Sequence, residues 1–315
     1  MSSTKTSPAN ALTVREVKTR AVRVPLTFAL DTSAAIVNAV PLLLVDVYME
    51  EGIVGRSYLF CYTASGAKAV AAHIAEAVQL SKGQPARPQS ISKMLARRFA
   101  LLGVTGTVRM ALSAFDVALW DAAAVALGQP LVALLGADRR PIPTYDSRGL
   151  GLMEPDKLAN EAEALLASGL KAVKLRLGYA TLADDLAALR AVRAHIPDDV
   201  LVMVDYNQAL TTAEAIRRGQ ALEREGIAWL EEPIRHDDYR GNAEIARRLD
   251  VPLQIGENFN GPEAMIEAVS MRACDYVMPD VTRIGGVTGW IQAAGIAAAS
   301  NIEMSSHLMP ELSVH

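Results

Sequence analysis

The sequence predicts an α/β protein: a (β/α) barrel of the TIM type preceded by a small α+β capping domain. Three observations predict it. From Pro141 onward, short apolar runs alternate with longer amphipathic stretches. Before about residue 138 the pattern differs, with Val-, Leu- and Tyr-rich runs followed by helical periodicity. Ionisable residues also recur just after successive apolar runs in the second part.

In the first part, residues 12–24, 41–50 and 52–60 read as strands of an antiparallel meander, with Gly52 and Gly55 at turns. Helical patterns follow at 65–80, 88–100 and 106–127. In the last, Met110, Ala114, Val117 and Trp120 recur at helical spacing. These elements define an expected capping domain over residues 1–138. In the second part the apolar runs are Ile142–Tyr145, Ala172–Leu177, Leu201–Val204, Ala228–Leu230, Leu253–Ile255, Tyr276–Met278 and Ile302–Met304. Helical segments such as Lys157–Ala167, Leu182–Ala194, Thr212–Glu225 and Pro262–Ser270 lie between them. Strand–helix alternation indicates a parallel sheet, and this many units favour a closed barrel over an open sheet. Residues 139–315 are the expected barrel domain. Seven strands are counted where a closed barrel has eight, so the last strand is expected to be absent from this chain.

Composition narrows the function. Of 315 residues, 51% are apolar, enough for a substantial core. The net charge of -4 and the lack of a basic, aromatic-studded cluster argue against nucleic acid as a partner. No apolar run reads as long enough to cross a bilayer, so no membrane association is expected. Met1–Asn10 is Ser- and Thr-rich without an apolar core and reads as a tail rather than an export signal. Cys61 and Cys274 stand far apart and read as buried thiols of a cytoplasmic protein.

Barrel enzymes build their sites at the C-terminal ends of different strands. Here the second strand carries Lys174 and Arg176, and the third ends in Asp205 with Asn207 beyond it. The fourth ends in Glu231 and Glu232, the fifth in Glu257, the sixth in Asp280 and the seventh in His307. Asp205, Glu231 and Glu257 fall 26 residues apart on consecutive strand ends. Three converging carboxylates repel unless a cation joins them, and hard oxygen donors suit Mg²⁺. Lys174 and Arg176 alternate by two, so they share one side of their strand, where a metal and an anionic substrate would justify buried cations. Asp280 beside His307 is the arrangement that orients an imidazole and raises its basicity.

The stretches Val204-Asp-Tyr-Asn-Gln208, Trp229-Leu-Glu-Glu-Pro233, Gly256-Glu-Asn258, Met278-Pro-Asp280, Ile284-Gly-Gly-Val-Thr-Gly-Trp290 and Ser305-Ser-His-Leu308 resemble the enolase superfamily, and within it the mandelate racemase subgroup. That resemblance runs from about Val14 to the last residue. It implies Asp205, Glu231 and Glu257 as ligands of one Mg²⁺ per subunit. It implies His307 with Asp280 as a base on one substrate face, and Lys174 as the residue steadying the substrate carboxylate. Asn207 and Ser147 are implied in substrate binding. The segment Leu30–Val40, which includes Val37, resembles the family's apolar lid, as does Tyr58–Tyr62. A homo-oligomer is also implied.

Two departures stand out. The subgroup's Lys-x-Lys is Lys174-Leu-Arg176 here, and a guanidinium is a poor proton acceptor near neutral pH. No residue matches the glutamate that the family carries in its last barrel strand. The implied reaction is removal of the α-proton of a 2-hydroxy carboxylate through an enediolate. The lid favours racemase-like use of it. The alternatives are an acid sugar dehydratase with His307 as its single base, and a non-catalytic protein that binds hydroxy acids.

Overall fold

The computed structural model describes residues 12–315; the Met1–Asn10 tail lies outside the described residues. The chain opens with three antiparallel strands in the order β1–β2–β3: Val14–Asp31, Ile36–Met49 and Val54–Phe60. Along β2, Leu43, Val45, Val47 and Met49 are buried and the residues between them are not, the period-two pattern of a sheet with one covered face. The cover is made by α1 (Ala64–Ser81), α2 (Pro88–Arg98) and α3 (Gly106–Leu127). Thr63 starts α1 by accepting the Gly66 N–H at 3.0 Å. Helix α3 lies so close to β3 that a Cβ on Gly55 would stand 1.9 Å from the Ala118 carbonyl oxygen. A short helix, α4 (Leu131–Leu134), ends this part.

At 22 residues, α3 is long and apolar enough to cross a membrane by length and composition, which corrects the sequence reading. It is a core helix here. Of its most apolar window, 61% is buried inside the protein. Asp116 near its middle is 4% exposed and accepts from Thr288, through N at 2.9 Å and Oγ1 at 2.6 Å. Trp120 Nε1 donates to the same Thr288 hydroxyl at 3.0 Å. The helix therefore carries the polar seam that ties the cap to the barrel.

That seam has a testable pH dependence. Burial pushes the Asp116 carboxyl up to about 7, against the lowering effect of its Thr288 and Val287 donors. An unfolded aspartate titrates near 4. The folded state therefore holds the extra proton between those values. Stability from this group is complete below about 4 and is lost as pH rises through 7. We expect the melting temperature of D116N to fall less between pH 4 and 7.5 than that of wild type; parallel profiles would dismiss the effect.

The second part holds a six-stranded parallel sheet in sequence order: β4 (Ala172–Arg176), β5 (Leu201–Asp205), β6 (Leu230–Glu231), β7 (Leu253–Ile255), β8 (Tyr276–Val277) and β9 (Glu303–Met304). Preceding them is α5 (Pro155–Leu166). Between them run α6 (Leu182–Arg193), α7 (Thr212–Leu222), α8 (Tyr239–Arg248), α9 (Pro262–Ser270), α10 (Val281–Ile284) and α11 (Gly286–Ser300), and α12 (Pro310–Ser313) follows β9. Thr181 with Asp184 forms a capping box on α6, while Thr211 and Asp238 cap α7 and α8. The core is the buried layer between these helices and the sheet, including Leu158, Leu175, Val204, Leu230, Leu253 and Val277.

The first barrel strand differs from the sequence reading. Ile142–Tyr145 forms no strand; the chain joins the sheet one residue later, where Asp146 bridges Val173 in parallel. Its N–H donates to the Ala172 carbonyl and its carbonyl accepts from Lys174 N, both at 2.9 Å. Pro141 and Pro143 lack the N–H donors that a ladder needs, which explains the shortened pairing. Among the described residues no hydrogen-bonded ladder joins this edge to β9, so the sheet is not closed by pairing.

The cap hairpin is also longer than the sequence pattern suggested. Strands β1 and β2 pair out to Asp31 and Ile36, and their turn rests on the barrel loops. Ser33 Oγ donates to the Tyr206 carbonyl at 2.7 Å, and Leu152 N donates to the Asp31 carbonyl at 2.7 Å.

Candidate active site

Parallel pairing sets the strand ends in register: Arg176 beside Asp205, and Asp205 beside Glu231. Beyond β8 the register continues as a single bridge between Asp280 and His307. Asp205, Glu231 and Glu257 meet at these ends, each offering a carboxylate oxygen within 4.8 Å of the others. Asp205 and Glu231 are buried, while Glu257 is partly open.

Lys174 is 4% exposed and pairs with both buried carboxylates: its ammonium lies 3.1 Å from Asp205 Oδ2 and donates to Glu231 Oε1. Burial alone would lower its pKa, but Asp205 and Glu231 overcome that and hold the ammonium charged. Burial would likewise raise Asp205, yet Lys174 and Arg176 keep it below the usual carboxylate range. Glu231 responds in the opposite direction. Burial pushes its carboxyl up to about 7, opposed by Lys174 and reinforced by Asp205 and Glu257. Lys174 and Arg176, two cations, thus do not balance three converging carboxylates. That deficit, with an all-oxygen donor set, fits a hard divalent cation.

The carboxylate-bearing strands carry their own supports. Trp229 Nε1 donates to Glu231 Oε2 at 3.1 Å. Asn207 donates to Asp205 through N at 2.8 Å and Nδ2 at 3.2 Å. Its φ of 45° and that of Glu232 at 32° are left-handed, a strain found where a site over-determines the backbone.

His307 Nδ1 lies 2.8 Å from Asp280 Oδ2, and His307 Nε2 lies 3.3 Å from Glu257 Oε2. Asp280 is fixed through its other oxygen by Thr282 N at 2.7 Å and Thr282 Oγ1 at 2.6 Å. Burial would lower the His307 pKa, but Glu257 and Asp280 raise it. The imidazole is thus oriented by Asp280, made more basic by its two carboxylate neighbours, and set with Nε2 against Glu257 of the carboxylate cluster.

Arg176 is buried and turned to the backbone. Its Nη1 donates to the Gly149 carbonyl at 2.6 Å and reaches the Lys174 carbonyl at 3.4 Å. Its Nε has no partner among the described residues.

The other sequence candidates lie farther out. Ser147 is half-buried in the loop after Asp146, and Val37 is half-buried in the hairpin opposite Leu30. Among the described residues no hydrogen bond ties either to the carboxylate cluster. Tyr62 stands at the cap edge with a left-handed φ of 59° and its ring 4.8 Å from the Arg283 guanidinium. The sequence motifs include Trp229 and Asn258 but assign no role to them, nor to Thr282 or Arg283.

The chain matches known proteins over both parts. The mandelate racemase / muconate lactonizing enzyme N-terminal domain matches residues 14–136, and the enolase C-terminal domain-like family matches residues 157–315. A crystal structure of an enolase from alpha proteobacterium BAL199 with bound magnesium is 39% identical, covers 97% of this chain and 85% of that one, and superposes with a TM-score of 0.94. An enolase from Bradyrhizobium complexed with magnesium and mandelic acid is 37% identical, with 96% and 84% covered and a TM-score of 0.91. L-talarate/galactarate dehydratase of Salmonella typhimurium is 30% identical over 280 residues, which are 88% of this chain and 70% of that protein.

The fold and its strand-end carboxylates are those of the enolase superfamily, whose catalysis depends on magnesium. This chain belongs to its mandelate racemase/muconate lactonizing enzyme family and is an enzyme of the isomerase or lyase type.

Proposed function

We propose that this enzyme removes the α-proton of a 2-hydroxy carboxylate from one face, with His307 as the base, and completes the reaction by expelling a 3-hydroxyl group. The observation that carries this reading is the asymmetry of the site. His307 is oriented by Asp280 with Nε2 beside Glu257, whereas the position at which the family carries a second lysine holds Arg176, a guanidinium tied to the Gly149 carbonyl.

Asp205, Glu231 and Glu257 would hold Mg²⁺, which supplies charge stabilisation for the substrate carboxylate as its α-proton leaves. Lys174, kept charged by its neighbours, faces the same developing charge. Asn207, held against Asp205, and Ser147, Tyr62 and Val37 around the mouth contact the remainder of the substrate. His307 Nε2 takes the α-proton while Asp280 stabilises the resulting imidazolium. The same imidazolium can then protonate the departing hydroxyl. Net, the substrate loses water and tautomerises to a 2-keto-3-deoxy acid. A small carboxylate with hydroxyls at C2 and C3 is therefore the substrate class.

A second reading is racemisation of an aromatic 2-hydroxy acid. It is favoured by the mandelic acid bound in the Bradyrhizobium relative and by the apolar hairpin around Val37. Racemisation needs a proton donor on the second face, and Arg176 is a poor one.

One experiment separates the two. Acid sugars and both enantiomers of mandelate are incubated with Mg²⁺ in D₂O. We expect a 2-keto-3-deoxy product from at least one acid sugar, and α-deuterium in only one mandelate enantiomer. In R176K, exchange should extend to the other enantiomer. Equal exchange of both enantiomers by the wild type, without dehydration of any acid sugar, would establish racemisation instead.

A further inference from the structure

Behind the carboxylate cluster stands a set of polar groups that the reaction above does not use. Asn258 follows Glu257 directly. Its Nδ2 donates to Glu232 Oε2 at 2.8 Å and reaches Glu257 Oε1 at 3.3 Å. Its Oδ1 accepts from Arg283 Nη1. Arg283 is anchored by its own backbone, since its carbonyl accepts from Gly261 N at 3.0 Å. The Tyr62 ring of the cap covers its guanidinium at 4.8 Å.

This geometry fixes which way the Asn258 amide faces. An amide presents an acceptor at one end and two donors at the other, and a guanidinium is donor-only. Of the two ends of the Asn258 amide, Arg283 can pair only with the oxygen, which turns the NH₂ toward the two carboxyl groups. Reversing the amide would set two donor groups against each other and its oxygen against the oxygens of Glu232 and Glu257. Glu232 is 1% exposed, and its Oε1 has no partner among the described residues, so the Asn258 contact is the one holding it.

We propose that Arg283 is a positioning residue for the metal site: by locking the Asn258 amide it orients the Glu257 carboxylate toward the cation. Arg283 touches neither the cation nor the reacting atoms in this role. Its cover by Tyr62 also makes cation affinity sensitive to how the cap sits. The proposal rests on the reading of Asp205, Glu231 and Glu257 as metal ligands.

The test is titration of full-length protein with MgCl₂ by calorimetry, for wild type, R283M, R283K, N258L and the R283M/N258L double variant. Melting curves in chelator confirm that each is folded. Partners outside the ligand shell are typically worth about 10–100-fold in metal affinity, so R283M and N258L should each weaken binding within that range. R283K should recover part of the loss. The double variant should bind no worse than the weaker single one, because both substitutions break the same relay. Should R283M fail to fold, N258L alone carries the prediction, since it leaves Arg283 under Tyr62. Unchanged Mg²⁺ affinity in N258L, or strictly additive losses in the double variant, would overturn the relay while leaving the metal site intact. A wild type that binds no Mg²⁺ would overturn the metal assignment, and the relay with it.

Discussion

In H307N, α-proton exchange and dehydration should fall by about 10²–10⁴-fold, the contribution of a well-placed general base. Mg²⁺ binding should persist, because His307 lies 3.3 Å from Glu257 as a neighbour and not as a member of the carboxylate cluster. D280N is expected to be milder and different in kind. It leaves the imidazole in place and removes one of the charges that raise its pKa, so the acid limb of the pH–rate profile should move to lower pH. Deuterium exchange followed by NMR across pH 5–9 measures both effects. Full exchange in H307N would remove His307 from the chemistry.

The second large effect concerns the cation. In E231Q, Mg²⁺ affinity should drop by more than the roughly 10–100-fold that outer-shell partners contribute, and activity should go with it. The metal-free protein should respond in the opposite sense. Glu231 has its carboxyl pushed up to about 7, above the ordinary value near 4.5. A group raised in this way gives its full stability below about 4.5 and loses it as pH rises through 7. Above pH 7, E231Q should therefore melt higher than wild type in chelator, yet gain almost nothing from added Mg²⁺. Melting curves with and without Mg²⁺ test both halves. A large Mg²⁺-induced rise in E231Q would exclude Glu231 as a ligand.

Much of this was legible in the sequence because the barrel chemistry sits where strand periodicity ends. Asp205, Glu231 and Glu257 are recognisable as a set because the repeat of strand and helix puts each just beyond an apolar run. Their burial and mutual approach follow from parallel register, which has few degrees of freedom. The meander and helices α1–α3 were readable for a similar reason, since one covered face imprints a period of two or 3.6.

What escaped has identifiable causes. The run Ile142–Tyr145 is apolar enough for a strand, but pattern alone does not register the donors missing at Pro141 and Pro143. Helix α3 was read through four spaced residues, although it is buried on most sides. Its apolar length becomes distinguishable from a membrane span only once Asp116 is seen capped by Thr288, 172 positions away. The Arg283–Asn258–Glu232 chain is set by side-chain rotamers, and no spacing rule encodes those. Arg176 was the informative exception: its chemistry was plain from residue type, but its attachment to Gly149 was not.

The long cap hairpin joins the two parts of the chain at the site itself. Ser33 donates to the Tyr206 carbonyl and Leu152 to the Asp31 carbonyl, fastening the cap's tip to the loops beside the carboxylate cluster. Each hydrogen bond is worth about 1 kcal/mol net, and Phe28 of the same hairpin packs against the barrel core beside them. The side chains placed for chemistry thus stand on the barrel strands, while the tip that rests on the loops beside them belongs to the cap.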